Sequence, residues 1–344
     1  MFRLASLLRR ARALQGPSNA IIPRPTARSV STTCPLRSDD GEIRPGQFVR
    51  TDPSITVKCP SMGDTASSKP VRRHKRTLKS FSLEGKVAVV TGGARGLGYV
   101  MTQALVESGA DAAIMDLNGE GAAKSAKTLL EHFKSENPDA ERSPTITAHT
   151  SDVSSPTSVR STISEILTQH NSQIDVLVTS AGFTENFKAE EYPHDRMQKL
   201  WGVNVDGTYL CAAEVAKHMI ERKRPGSMVF IGSMSGSIVN VPQPQAPYNA
   251  SKAAVRHLAS SLAVEWAAHG IRVNCISPGY MLTDLTKKIL DDNPDLKAKW
   301  VSLIPQGRMG NPEDLMGAVV FLASEASNHI TGADLRVDGG YTVI

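Results

Sequence analysis

Tyr248 and Lys252 stand four residues apart in Tyr248-Asn249-Ala250-Ser251-Lys252. On a helix that spacing puts both side chains on one face, one turn apart. A free phenol, with a pKa of about 10, is a poor acid or base near neutrality. An ammonium beside it favours phenolate and eases its ionisation. The pair could therefore pass a proton to or from an alcohol oxygen. Such a pattern also arises on ordinary helix surfaces, so its meaning depends on what the chain places around it.

A phosphate-binding turn lies upstream. Residues 86–90 form a short apolar, β-branched run that ends in Thr91-Gly92-Gly93-Ala94-Arg95-Gly96-Leu97-Gly98, and a helix-period segment follows through Val100, Leu105 and Val106. Glycines 92, 96 and 98 let the backbone turn tightly and approach a pyrophosphate at the helix N-terminus. The spacing differs from the usual G-x-G-x-x-G; the strand before and the helix after supply the context. A second strand, 112–115, closes on Asp116. A carboxylate there accepts hydrogen bonds from the adenosine 2′-OH and repels a 2′-phosphate, which predicts NAD. Arg95, in the glycine turn, could instead meet a 2′-phosphate, so NADP stays open. Asp152, with Val153, reads either as an adenine contact or as a helix cap.

Stepping along the chain, strands are predicted near 145–150, 174–179, 227–231, 272–276 and 334–337. Helices are predicted near 159–169, 197–221, 248–269 and 312–324, with a variable excursion after the sixth strand. Short apolar strands alternating with helices imply an α/β fold, a single doubly wound domain over about 81–344 with a parallel seven-stranded sheet.

Composition narrows the function. The first 80 residues carry 16 Lys+Arg against 5 Asp+Glu, and the remaining residues carry 23 against 29, so the basic character belongs to the N-terminal segment. The predicted domain is mildly acidic, which argues against nucleic acid as a partner. Cys34, Cys59, Cys211 and Cys275 show no metal-ligand spacing and no paired framework, so no metal is expected. No run of 18 apolar residues predicts a membrane span. Residues 1–38 are Arg-rich, Ser-containing and acid-poor up to Asp39, with Phe2, Leu4, Leu7, Leu8 and Leu14 set among arginines. That is the description of a mitochondrial transit peptide, which predicts the matrix, with the cytoplasm as the alternative. Residues 39–80, rich in Pro, Ser, Thr and Asp, read as a disordered linker ending in the basic run 71–76.

Taken together, Thr91-Gly92-x-x-x-Gly96-x-Gly98, Ser233-x-x-Gly236, Tyr248-x-x-x-Lys252, Pro278-Gly279 with Thr283, and Asp338-Gly339-Gly340 resemble the short-chain dehydrogenase/reductase superfamily. The resemblance covers essentially all of 81–344 and implies a Rossmann-type fold. It implies Tyr248 as general acid/base, Lys252 as the residue that lowers its pKa and holds the nicotinamide ribose, and Ser233 as the group polarising the substrate oxygen. Asn204 is implied to hold a water in the proton relay. Ser235 competes for the serine role and stands as a second substrate contact. Thr91, Leu97, Ser180, Gly182, Tyr248, Pro278, Met281 and Thr283 are the further cofactor contacts it implies. One departure is visible: the family commonly has Asn-Asn-Ala-Gly after the fourth strand, and this chain has Thr179-Ser180-Ala181-Gly182.

Residues 181–187, 232–240 and Pro242-Gln243-Pro244-Gln245 carry a narrower likeness to the fungal polyol dehydrogenases and ketose reductases, among them ribulose-forming arabinitol enzymes. That group implies reversible oxidation of a secondary alcohol of a sugar alcohol to the ketose, most nearly D-arabinitol to D-ribulose with NAD. Asn240, Gln243 and Gln245 could hydrogen-bond several hydroxyls, or could merely cap a loop. Alternatives are an NADPH-linked ketose reductase, a mitochondrial 3-oxoacyl-acyl-carrier-protein reductase, and a dinucleotide-binding scaffold without turnover. The resemblance also implies a homo-oligomer, dimer or tetramer, built through the helices near 197–221 and 248–269.

Overall fold

The computed structural model describes residues 77–344. The readings of a targeting segment, of residues 39–76 of the linker, of the basic run 71–76, and of Cys34 and Cys59 fall outside the described residues. The segment read as linker to residue 80 ends differently: Thr77–Phe81 is a 3-10 helix, and Phe81 meets Phe321 with ring centroids 6.1 Å apart.

Seven strands, β1 (Val87–Thr91), β2 (Asp111–Asp116), β3 (Ile146–Thr150), β4 (Val176–Thr179), β5 (Gly226–Ile231), β6 (Ile271–Pro278) and β7 (Asp334–Val337), form one sheet. Its order is β3-β2-β1-β4-β5-β6-β7 and every pairing is parallel. Nine helices lie among the described residues. They are α1 (Gly96–Glu107), α2 (Gly119–Glu136), α3 (Pro156–Gln169), α4 (His194–Trp201), α5 (Gly207–Glu221), α6 (Ala246–Trp266), α7 (Asp284–Asp291), α8 (Pro294–Ser302) and α9 (Met316–Ala323). None is long and apolar enough to cross a membrane.

Both faces of the sheet are covered, which is why β1 and β4 are apolar at every position bar the closing Thr91 and Thr179. Side chains alternate between the faces. Val89, Ala113, Met115, Leu177 and Phe230 pack under α3, α5 and α6. Ala88, Val90, Val176, Val178 and Val229 pack under α1 and α9. The strand order reverses between β1 and β4, and at such a point the diverging connections leave a crevice beyond the carboxyl ends of the strands.

Two expectations need correction. The predicted helix over 197–221 is two helices joined by a π-helical turn, Gly202–Asp206, because a wider turn shifts the backbone register there. The excursion after β6 is structured as α7 and α8, held by a separate apolar cluster of Leu290, Trp300, Ile304 and Met309.

Candidate active site

Tyr248 and Lys252 occupy the first turns of α6, which starts at a Pro in its opening positions. The buried residues Ser251, Lys252, Val255, Ala259, Leu262 and Ala263 define the face that α6 turns inward. Lys252 Nζ lies 5.8 Å from the Tyr248 ring centroid and donates to the Ile231 carbonyl at the end of β5 (2.8 Å). Burial pushes the Lys252 ammonium down to about 8. Burial also raises the Tyr248 phenol above its ordinary value, and the nearby Ser233 hydroxyl offsets part of that rise. Desolvation thus outweighs the easing of ionisation expected from Lys252.

Ser233 caps a 3-10 turn, Met234–Gly236, that follows β5. Its Oγ accepts from the Ser235 amide (3.1 Å) and donates to Ser235 Oγ (3.0 Å). The Ser-x-x-Gly pattern has a steric cause. A Cβ on Gly236 would lie 2.7 Å from the Lys252 carbonyl carbon and 2.8 Å from the Ala253 nitrogen, so only glycine lets this turn press against α6. The contact fixes Ser233 beside Tyr248.

Asn204 sits in the π-helical turn, a geometry that often marks functional positions. Its Oδ1 accepts from the Phe183 amide (3.0 Å), and its Nδ2 donates to the Phe183 carbonyl and to Ser251 Oγ, both at 3.1 Å. Ser251 Oγ in turn donates to the Tyr248 carbonyl (2.8 Å). Both amide hydrogens are thus spent on tying the loop after β4 to α6, which leaves only a lone pair on Oδ1 for a water. A Cβ on Gly182 would stand 3.0 Å from Asn204 Oδ1 and 3.5 Å from Lys252 Nζ, so Gly182 keeps this corner open.

The glycine turn forms a cradle that fits a dinucleotide. Arg95, the residue before α1, gives its helix no side-chain cap, so the amides at that N-terminus are free for an anion. A Cβ on Gly98 would fall 2.2 Å from the Gly92 carbonyl oxygen. Gly96 has φ +57, and a Cβ there would meet nothing within 4 Å, so space lies open in front of the turn. Leu97, half-buried, packs against the core under α1. Thr91 Oγ1 accepts from the Ala181 amide (3.1 Å), and the Ser180 amide donates to the Thr91 carbonyl (3.2 Å), which locks the ends of β1 and β4 together. Asp116 Oδ2 accepts from the Ala94 amide in the turn (3.1 Å) and Oδ1 from the Asn118 amide (2.9 Å). Further lone pairs on both oxygens remain for ribose hydroxyls. Arg95 is exposed and makes no ion pair among the described residues. Asp152 accepts from the Ser154 amide (2.9 Å) and hydroxyl (2.7 Å), while Ser155 caps α3, so Asp152 shapes the turn before that helix.

At the end of β6, Pro278 is buried and Thr283 caps α7 through a reciprocal bond with Thr286. The Met281 side chain is buried in the core, so any cofactor contact it makes runs through its backbone. Every predicted site residue thus lies at, or just beyond, the carboxyl end of a strand or on the adjoining helix or turn. Among the described residues, no cluster of His, Cys, Asp and Glu could hold a metal ion.

Comparison with known proteins agrees with this geometry. A family profile described as Enoyl-(Acyl carrier protein) reductase matches residues 92–342. A D-arabinitol 2-dehydrogenase [ribulose-forming] of Candida tropicalis is 42% identical over 267 residues, 77% of this chain and 95% of that one. A sorbose reductase of Candida albicans is 40% identical over 290 residues, 84% of this chain and 98% of its own. A gluconate 5-dehydrogenase from Burkholderia cenocepacia, solved with NADP and tartrate, superposes with a TM-score of 0.69 at 35% identity, covering 78% of this chain and all of that one.

The chain belongs to the short-chain dehydrogenase/reductase family. It is accordingly an oxidoreductase whose fold binds NAD(P). As a short-chain dehydrogenase/reductase it departs from the common Asn-Asn-Ala-Gly at Thr179, whose hydroxyl is buried and unpaired.

Sequence reasoning missed the aromatic side of the site. Tyr280, directly after Pro278-Gly279, accepts from Gln243 Nε2 (2.8 Å) and Asn240 Nδ2 (3.3 Å). Gln245 Nε2 has three acceptors in reach for its two hydrogens, Asn249 Oδ1 (2.9 Å), Asn240 Oδ1 (3.2 Å) and Ser235 Oγ (3.4 Å), so amides line the way from Tyr280 to Ser233. Trp300 from α8 stacks on Tyr280 with centroids 4.1 Å apart, and Tyr341 meets the same ring edge-on at 5.5 Å. Gln243 Oε1 and Trp300 Nε1 are buried without partners, and each such orphan costs about 1–3 kcal/mol.

Proposed function

We propose that this chain is an NAD-dependent polyol 2-dehydrogenase, interconverting a secondary alcohol of a sugar alcohol and the corresponding ketose, with D-arabinitol and D-ribulose as the pair. The observation that carries the reading is the meeting of Ser233, Tyr248 and Lys252 at the end of β5, beside a wall of uncharged amides, in a chain similar to arabinitol and sorbose enzymes.

A bound nicotinamide supplies the hydride acceptor. Ser233, its hydroxyl turned away from Ser235 Oγ, donates a hydrogen bond to the reacting oxygen, and Tyr248 takes its proton as the carbonyl forms. Lys252, cationic at neutral pH with its value near 8, favours the phenolate that Tyr248 must pass through. Asn204 positions the loop after β4 against α6. In the reverse direction Tyr248 returns the proton to the alkoxide oxygen.

Asp116, at the end of β2 and tied to the glycine turn, supports NAD. Exposed, unpaired Arg95 favours a second reading, an NADPH-linked ketose reductase. An acyl-carrier substrate finds less support. Over α7 and α8 four lysines (Lys287, Lys288, Lys297, Lys299) are balanced by four aspartates (Asp284, Asp291, Asp292, Asp295), so those two helices offer no basic surface to an acidic carrier. An initial-rate screen of the purified protein with D-arabinitol, D-mannitol, xylitol, L-sorbose and an acetoacetyl thioester, each with both cofactors, tests the reading. Polyol oxidation with NAD is expected; fast thioester reduction without polyol turnover would overturn it.

Residues 1–38 are proposed as a mitochondrial address. Fused to a fluorescent protein they should direct it to mitochondria, and a diffuse cytosolic signal would discard the idea.

A further inference from the structure

Three separate elements converge on one phenol. Tyr280 comes from the loop after β6, Asn240 and Gln243 from the loop before α6, and Trp300 from α8. The Tyr280 oxygen accepts from both amides, and its hydroxyl also shares a hydrogen bond with the Tyr341 phenol. The Tyr341 phenol is pushed up to about 12, by burial first and then by Tyr280 beside it, so it stays protonated. Around this ring two polar atoms remain buried and unpaired: an acceptor, Gln243 Oε1, and a donor, Trp300 Nε1. Loop-capping alone leaves these two atoms unexplained.

We propose that Tyr280, with Gln243 and Trp300, is the specificity-determining group that reads a substrate hydroxyl beside the reacting carbon, and that it selects neutral polyols and ketoses over sugar acids. The proposal rests on the polyol reading above and deepens it. An alcohol both donates and accepts, so it can satisfy an orphaned acceptor and an orphaned donor together. A carboxylate only accepts, and it would leave Gln243 Oε1 facing negative charge. It would also have to shed water against groups that are all neutral, Ser233, Ser235, Gln245, Asn240, Gln243 and Tyr280, while the buried cation Lys252 is turned to the Ile231 carbonyl. Arg308, nearby, is already held by both oxygens of Asp314 (2.6 and 3.0 Å), and Arg336 is exposed and donates to Thr342 (3.0 Å). The amide chain from Tyr280 to Ser233 gives the hydroxyl reader a fixed relation to the reacting oxygen. Sites built to bond a hydroxyl discriminate strongly against analogues that lack it.

The test uses the full chain, D-arabinitol, its 1-deoxy and 3-deoxy analogues, and the aldonate of the same carbon number. The wild type should prefer D-arabinitol by about a hundredfold over one deoxy analogue and over the aldonate. Tyr280→Phe, which keeps the aromatic stack, should lower kcat/KM for D-arabinitol by about tenfold or more and for that deoxy analogue by less than about threefold. NADH affinity, read by fluorescence titration, should stay within about twofold, because the phenol is bonded to the loop before α6 and not to the glycine turn. Gln243→Met should repeat the pattern and carries the test if Tyr280→Phe does not fold. Equal losses on both substrates, no loss on either, or undiminished turnover of the aldonate would overturn the proposal. A wild type that oxidises polyols while both variants behave like it defeats this inference alone. A wild type that turns over no polyol or ketose defeats the functional reading and this inference with it.

Discussion

Lys252 Nζ stands 5.8 Å from the centre of the Tyr248 ring, yet its hydrogen bond goes to the Ile231 carbonyl and not to the phenol. The two groups share no hydrogen bond, and the charged form of each is opposed by burial. Tyr248 is raised above 10, so at neutral pH it rests as the phenol. Alcohol oxidation needs the phenolate and carbonyl reduction needs the phenol. The kcat/KM for oxidation should accordingly rise with pH across the range from about 7 to 9, with a logarithmic slope near one, while reduction stays flat until the phenol ionises. Tyr248→Phe should lower turnover by about 10²- to 10⁴-fold and leave cofactor binding in place. An oxidation rate that does not change with pH would show that another group takes the proton.

Lys252 also makes a prediction about stability without cofactor. Its folded value, about 8, lies below its ordinary 10.5. Below pH 8 both folded and unfolded chains carry the proton, and the cost of burying the charge is felt in full. Between about 8 and 10.5 the unfolded chain still holds a proton that the folded chain has released, so stability rises with pH through that window. The total gain is up to about 3 kcal/mol. Cys275, pushed up to about 12 by burial, works in the opposite sense above pH 9, and the comparison must cancel it. The difference in Tm between Lys252→Met and wild type cancels all of it except the part by which the Lys252 charge lowers Cys275, the last of the influences on that thiol. It should be largest at pH 7 to 8 and shrink toward pH 10, on top of a constant offset from the lost bond to Ile231. A difference that holds level would assign Lys252 an ordinary value.

Two glycines of the phosphate turn should fail in different ways. Gly98→Ala drives a methyl to 2.2 Å from the Gly92 oxygen, a backbone atom that cannot step aside. It should cost about 3 kcal/mol or more of stability, seen as a fall in Tm. Gly96→Ala meets no atom, so only the φ of +57 opposes it, at about 1–2 kcal/mol. Its methyl projects into the open space before the helix, where it should weaken NADH binding by about tenfold or more. Unaltered NADH affinity in Gly96→Ala would place the pyrophosphate elsewhere.

The contrast between these parts shows what a sequence makes visible. β1, β4 and β5 are buried on both faces, so their apolar runs announce them. Helix α2 was not anticipated, because its buried face is Ala122, Ala126 and Leu129, too small and too sparse to write a period. The break between α4 and α5 left no mark either, since a π-helical turn alters backbone register and not hydrophobicity. The motif residues were legible because each is fixed by local geometry: glycines where a Cβ would clash, a tyrosine and a lysine one turn apart. Tyr280 lay between positions that were anticipated, Pro278 and Met281, and was passed over. Its partner Gln243 is 37 residues away and Trp300 arrives on a helix read as a variable excursion, so only the folded chain brings them together. Substrate specificity was hidden for the same reason that the chemistry was plain: one depends on contacts between distant loops, the other on local spacing.

Cofactor choice falls to a carboxylate that does two jobs. Asp116 accepts from Ala94 in the glycine turn and from Asn118 beside it, and its charge faces the place where a 2′-phosphate would lie. Asp116→Ala removes the clamp and the charge together, so it should weaken both cofactors while narrowing the gap between them. Asp116→Asn removes the charge and keeps one acceptor, so one of the two amides, Ala94 or Asn118, still has its partner. It should hold NAD within about threefold of wild type and improve NADP by about tenfold, the equivalent of about 1.4 kcal/mol of relieved repulsion. Arg95→Ala should act only on NADP, lowering its affinity, because the guanidinium is exposed and has no ion pair among the described residues to lose. Equilibrium titration of each variant with both reduced cofactors separates these contributions. A ratio of NAD to NADP affinity that Asp116→Asn leaves unchanged would mean that the carboxylate only holds the turn, and that the choice of cofactor is made by Arg95 or by the residues that follow β2.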